Sequence, residues 1–131
     1  GRTVLFVSHT MPMIENPCSR AILLEDVLLT FGALSGVPIA VAPDAPLADG
    51  VEAQTRQVME NLQAIIKEAG MTLQNVVKCS CFLKDMEDFV KFNAVYNSYF
   101  AESLPARETV EVGRLPKDAR VEISAICGAD K

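Results

Sequence analysis

The spacing of apolar residues predicts an α+β fold, a small sheet with both helices on one of its faces. Three observations carry this. A helical repeat runs through residues 49–70, a strict alternation of apolar and polar positions marks residues 76–84 and 120–127, and a second helical stripe lies between those strands. At 131 residues the chain suffices for one hydrophobic core and not for two ordinary ones, so residues 1–131 are expected to form a single domain.

Taken in order, residues 3–8, 21–24 and 27–31 are rich in Val, Ile, Leu and Thr and read as strands, the last two forming a hairpin around Glu25-Asp26. Residues 36–50 hold Pro38, Pro43 and Pro46 and read as a surface loop. Asp49, with Glu52 three positions on, resembles a capping box. The helix it opens buries Val58, Leu62, Ile65, Ile66 and Ala69, turns Glu52, Arg56, Glu60, Gln63 and Lys67 outward, and stops at Gly70.

In the strand that follows, Val77, Cys79, Cys81 and Leu83 point one way and Lys78, Ser80, Phe82 and Lys84 the other. Asp85 can cap a second helix with a stripe of Phe89, Phe92, Tyr96 and Tyr99 or Phe100, which must end before Pro105. Residues 107–115 and 120–127 read as two strands joined by the turn Pro116-Lys117-Asp118. In the last strand Val121, Ile123, Ala125 and Cys127 share a face, leaving Glu122, Ser124 and Ile126 on the other.

Phe82 and Ile126 make that other face too apolar for open solvent, while its polar groups make it unlike a core. Self-association into a closed, cyclic oligomer is the economical expectation, and clefts between subunits are common ligand sites.

Composition excludes several classes. Twelve Lys and Arg against 17 Asp and Glu leave a net charge of −5, which does not support a wide basic surface for nucleic acid. No apolar run reaches the roughly 18 residues of a membrane helix, and the N-terminal residues lack a secretory layout, so a soluble, cytoplasmic protein is expected. Cys18, Cys79, Cys81 and Cys127 mostly fall in apolar strand segments and are expected as free thiols. No spacing resembles a zinc pattern, and His9, the single histidine, has no nucleophile arrangement near it; no metal is expected.

Two residues have the chemistry of a site. Arg107, just past Pro105, can offer a two-pronged contact to a carboxylate or phosphate, or can simply pair with Glu108 or Glu111. Glu122, within an apolar alternating strand, is suited to general acid–base work, or can pair with Arg114 or Arg120. Since their strands are consecutive, the two are expected to be neighbours. Asn93, beside the aromatic stripe, either hydrogen-bonds locally or reaches a cleft.

Residues 105–123, PARETVEVGRLPKDARVEI, closely resemble the C-terminal signature of the Rid/YjgF family, also known as L-PSP endoribonuclease-like proteins. The similarity continues through Asn75-Val76-Val77-Lys78, residues 85–89, Asn93, the helix over 54–70 and Thr30-Phe31-Gly32, and weakens before Pro17 and across 36–50. The resemblance implies a chorismate-mutase-like fold with a mixed β-sheet and two helices on one face, assembled as a homotrimer with clefts between subunits.

It also implies hydrolysis of reactive enamines and imines, such as 2-aminoacrylate and its imine tautomer, to 2-keto acids and ammonia without a cofactor. On the matching positions, Arg107 is the carboxylate-binding arginine, Glu122 the cleft glutamate, Asn93 a cleft residue and Gly32 a glycine whose backbone approaches the ligand. Three positions depart from the archetypal deaminases: Cys18 replaces a tyrosine, Phe31 a serine and Thr109 a cysteine. Phe31 adds bulk and removes a hydroxyl, so a smaller or more apolar pocket is expected.

The leading expectation is therefore a deaminase in which Arg107 clamps the carboxylate of a small imine and Glu122 moves protons. The alternatives are a non-catalytic trimer that binds a small carboxylate, and an endoribonuclease or translation inhibitor using the basic residues Arg107, Arg114, Lys117 and Arg120, clustered near one end.

Overall fold

The computed structural model describes residues 2–9 and 48–130. The expected strands over 21–24 and 27–31, their hairpin and most of the 36–50 loop lie outside the described residues, as do Cys18, Phe31 and Gly32. Strand β1 (Arg2–His9) is followed by helix α1 (Gly50–Glu68), strand β2 (Val76–Leu83), helix α2 (Phe89–Tyr99), strand β3 (Ala106–Glu111) and strand β4 (Val121–Asp130). The sheet order is β1-β4-β2-β3, with β3 parallel to β2 and the other neighbours antiparallel. This is the mixed sheet of the expected α+β fold.

Helix α1 forms where the repeat predicts it. Val58, Leu62, Ile65 and Ile66 are buried together with Val51 and Met59, while the predicted outer positions are exposed. Its C-terminus closes because Gly70 adopts φ +78°, which lets the Gly70 and Met71 N–H groups donate back to the carbonyls of Lys67 and Ile66 at 2.9 and 3.0 Å. The N-terminus departs from expectation, since the Asp49 side chain makes no capping hydrogen bond. Gln54 instead donates to the Ala48 carbonyl at 3.0 Å and accepts from the Arg120 N–H at 2.8 Å, tying the helix start to β4.

Asp85 caps as predicted, but it caps a short 3-10 turn, Met86–Asp88, accepting from the Glu87 N–H at 2.9 Å, and α2 follows directly. Helix α2 buries Phe92, Val95 and Tyr96. Both helices pack on the sheet face made by Cys79, Cys81, Leu83, Val121, Ile123, Ala125 and Cys127, forming one continuous core. Each fully buried aliphatic or aromatic side chain there contributes about 1.5–3 kcal/mol.

The expected inner face fails at one residue: a bulge between Val76 and Lys78 leaves Val77 55% exposed and buries Val76 in its place. From Lys78 onward the opposite face follows from the period of two. Phe82 pairs across the ladder with Glu122, Ser80 with Ser124, and Lys78 with Ile126, and all six are only partly buried. Among the described residues no layer covers them.

Two strand boundaries differ from the expected ones. β3 ends at Glu111 instead of 115 because its partner β2 ends at Leu83, and the last cross-strand bond is Val112 N–H to the Leu83 carbonyl at 2.9 Å. β4 runs on to Asp130 because β1 pairs with it as far as Arg2 opposite Asp130.

Candidate functional site

Arg107 lies on β3 in register with Cys79, so its side chain leaves the sheet toward the helices, on the same face as the core. Helix α2 meets it there. The Arg107 Nη1 donates to Asn93 Oδ1 at 2.7 Å, and the guanidinium carbon stands 4.7 Å from the centre of the Tyr96 ring, 5.7 Å from Phe89 and 5.9 Å from Phe92. Cations over aromatic faces at these distances are attracted by the ring quadrupole.

The ion pairs expected of a surface arginine do not form. Glu108 accepts from the Ser80 hydroxyl at 2.6 Å and pairs with Lys78 at 3.2 Å, and those contacts hold its carboxyl below the usual carboxylate range. Glu111 accepts from the Met86 N–H at 2.7 Å. Arg107 is thus held by a neutral amide and three rings, and no carboxylate of the described residues offsets its charge.

The groups beneath it are neutral as well. Burial pushes the Cys79 thiol up and the Cys81 thiol to about 12, and burial also raises the Tyr96 phenol. The nearby Arg107 cation opposes each of these shifts without reversing it. Thr109, two residues along β3, lies in register with Cys81. Its hydroxyl and that of Tyr96 are buried without a nitrogen or oxygen partner, and their polar neighbours are the weakly hydrogen-bonding thiols of Cys81 and Cys79.

Glu122 is elsewhere, which corrects the expectation that it neighbours Arg107. Although β3 and β4 are consecutive in sequence, β2 lies between them, because the nine residues 112–120 are long enough to cross the two strand spacings of about 4.8 Å each. Glu122 stands opposite Phe82 on the uncovered face, whereas Arg107 faces the helices. Each arginine named as its alternative partner has an aspartate of its own. Arg120 binds Asp88 through Nη2 at 2.7 Å and Nε at 3.0 Å, and Arg114 binds Asp118 at 2.8 Å.

Of the sequence-predicted residues, then, the structure brings Arg107, Asn93 and Thr109 to one edge of the helix side and places Glu122 on the other face. The sequence reading missed Phe89, Phe92 and Tyr96 as part of this site, although their spacing with Asn93 puts all four on one side of α2. A polar depression of about 390 Å³ lies at the far ends of the helices, beside Gln63, Thr72, Ser98 and Glu102, and contains none of these residues. Among the described residues no group of His, Cys, Asp or Glu is arranged to hold a metal ion, and no helix is long and apolar enough to cross a membrane.

A mixed sheet carrying both helices on one face, with an arginine seated at its edge, defines a small α+β protein. The sequence model of endoribonuclease L-PSP matches residues 9–128, and the chain belongs to this family, the Rid/YjgF proteins. It is 43% identical over 125 residues to a RutC family protein of Pyrococcus horikoshii, covering 95% of this chain and 96% of that one. It is 39% identical over 122 residues to the 2-iminobutanoate/2-iminopropanoate deaminase of Salmonella typhimurium, covering 91% and 92%. The crystal structure of Escherichia coli TdcF with bound serine superposes with a TM-score of 0.65 at 36% identity, over 69% of this chain and 74% of that one.

Proposed function

We propose that the protein hydrolyses reactive enamines and imines of small carboxylates, of the 2-aminoacrylate and 2-iminopropionate type, to 2-keto acids and ammonia, in clefts between the subunits of a homotrimer. The observation that carries this reading is the state of Arg107: a half-buried guanidinium that, among the described residues, is held by a neutral amide and aromatic rings and paired with no carboxylate, so that its charge suits an anion. A relative of 39% identity named as an imine deaminase, and the bound serine in TdcF, agree with a small amino-acid-like ligand.

The chemistry asks little of the protein. An imine carbon is electrophilic; water adds to it, and the resulting carbinolamine loses ammonia as the C–N bond breaks and the carbonyl forms. Arg107 orients the substrate through its carboxylate, and a carboxylate base takes a proton from the water and returns it to the departing nitrogen. Glu122 of the same chain is on the wrong face to do this beside Arg107. In the proposed trimer the base is therefore Glu122 of the partner subunit, brought in as the uncovered face of one sheet meets the next protomer. Cys18, Phe31, Gly32 and Thr109 complete the substrate contacts in this reading, and the protein acts in the cytoplasm, where buried thiols such as Cys79 and Cys81 stay reduced.

The test is to release 2-aminoacrylate in situ with a pyridoxal-phosphate-dependent dehydratase and follow pyruvate and ammonia. The wild type is expected to accelerate their release, and Arg107→Ala to lower kcat/KM by about 100-fold, the size of a charge-assisted contact. A wild type no faster than buffer overturns the proposal. If pyruvate then still raises the melting temperature, the protein is a carboxylate-binding trimer instead. A ribonuclease reading finds less support, since the net charge is −5 and Arg114 and Arg120 are both engaged by aspartates.

A further inference from the structure

We propose that Tyr96 is a positioning residue for Arg107, and that the face of its ring, with no part played by its hydroxyl, fixes the plane of the guanidinium before a ligand arrives. The idea rests on the reading of Arg107 as the carboxylate anchor and adds how that anchor is oriented.

An arginine at a strand edge has many rotamers, and an anchor that must be ordered on binding is a weak one. Among the described residues one bond, to Asn93, holds one nitrogen but leaves rotation about that contact. A ring beneath the guanidinium removes the rotation. Of the three rings among the described residues, Tyr96 is nearest, at 4.7 Å against 5.7 and 5.9 Å, and it is itself fixed. It is 4% exposed and packs against Phe92 and Phe100, with ring centres 5.6 and 4.8 Å away. A carboxylate in the same place would also orient the arginine, but would neutralise it. A ring holds the cation and leaves its charge for the ligand. Among the described residues the Tyr96 hydroxyl has only the weakly hydrogen-bonding Cys79 thiol beside it, and it is the ring that lies under the guanidinium.

The experiment compares Tyr96→Phe, Tyr96→Leu and a ring-fluorinated phenylalanine at position 96, which keeps the shape but weakens the electron-rich face. Two readouts are used: KM and kcat for the imine assay above, and the Arg107 Nε–H resonance, which a stacked ring displaces upfield. Tyr96→Phe is expected to match the wild type in both. Tyr96→Leu and the fluorinated ring are expected to raise KM about tenfold with kcat changed far less, and Tyr96→Leu to return the Nε–H resonance to its free position.

Wild-type KM for the fluorinated protein, or an undisplaced Nε–H resonance in the wild type, overturns the proposal. The fluorinated variant settles the point if the leucine variant does not fold. A wild type without turnover or pyruvate binding would end the deaminase reading, while the resonance would still report whether Tyr96 seats Arg107.

Discussion

The two faces of the sheet are cut from the same strands and differ in kind. On one, Cys79, Cys81, Leu83, Val121, Ile123, Ala125 and Cys127 are at most 1% exposed beneath two helices. On the other, Phe82 and Ile126 sit among Lys78, Ser80, Glu122 and Ser124, all partly exposed. The first face is complete within one chain and supports the fold. The second leaves Phe82 and Ile126 without a covering layer among the described residues, and that is the physical ground for the proposed assembly. The contrast also separates the two proposed catalytic groups, Arg107 belonging to the finished face and Glu122 to the unfinished one.

Substitutions that treat the faces alike would break this comparison. The largest effect is expected on the finished side. Phe92→Ala, at a fully buried ring, should lower unfolding free energy by about 3–5 kcal/mol, measured by urea denaturation. On the other side, Ile126→Asp is expected to cost the single fold less than about 1 kcal/mol, yet to convert the proposed trimer to monomers by size-exclusion chromatography with light scattering, the far-UV helical signal persisting. A trimer that survives Ile126→Asp would place the interface elsewhere.

The smallest effect concerns the thiols under the helices. Folding raises Cys81 from 9.0 to about 12 and Cys127 to about 11, so folding favours the protonated form. The stability this confers is present in full below pH 9 and is lost as the pH climbs through 11 to 12. Urea midpoints should therefore fall between pH 8 and pH 11. Peptide mapping after alkylation at pH 8 should find Cys79, Cys81 and Cys127 unlabelled in the native protein and labelled once it is denatured.

Much of this was legible in the residues. The repeat in α1, the alternation in β2 and β4 and the stripe of α2 are local patterns set by 3.6- and 2-residue periods, and each formed where its period placed it except at the start of β2, where the bulge turns Val77 out. Even the assignment of Glu122, Ser124 and Ile126 to a separate face followed from alternation alone. The face taken by Arg107 did not. It depends on β3 pairing with β2 in the register that sets Arg107 beside Cys79, a non-local choice that no run of six residues announces. The same pairing puts β2 between β3 and β4, so that consecutive strands are not neighbours.

The amino-acid order by itself therefore determined the described helices and strands, nearly all of their inner and outer sides, and the family to which the chain belongs, because those rest on short-range periodicity and on contiguous motif residues. Only the tertiary structure decided that Arg107 rests on the Tyr96 ring with Asn93 at its side, and that Glu122 looks away from it. Both facts come from strand order and register, which arise from contacts between segments far apart in the chain.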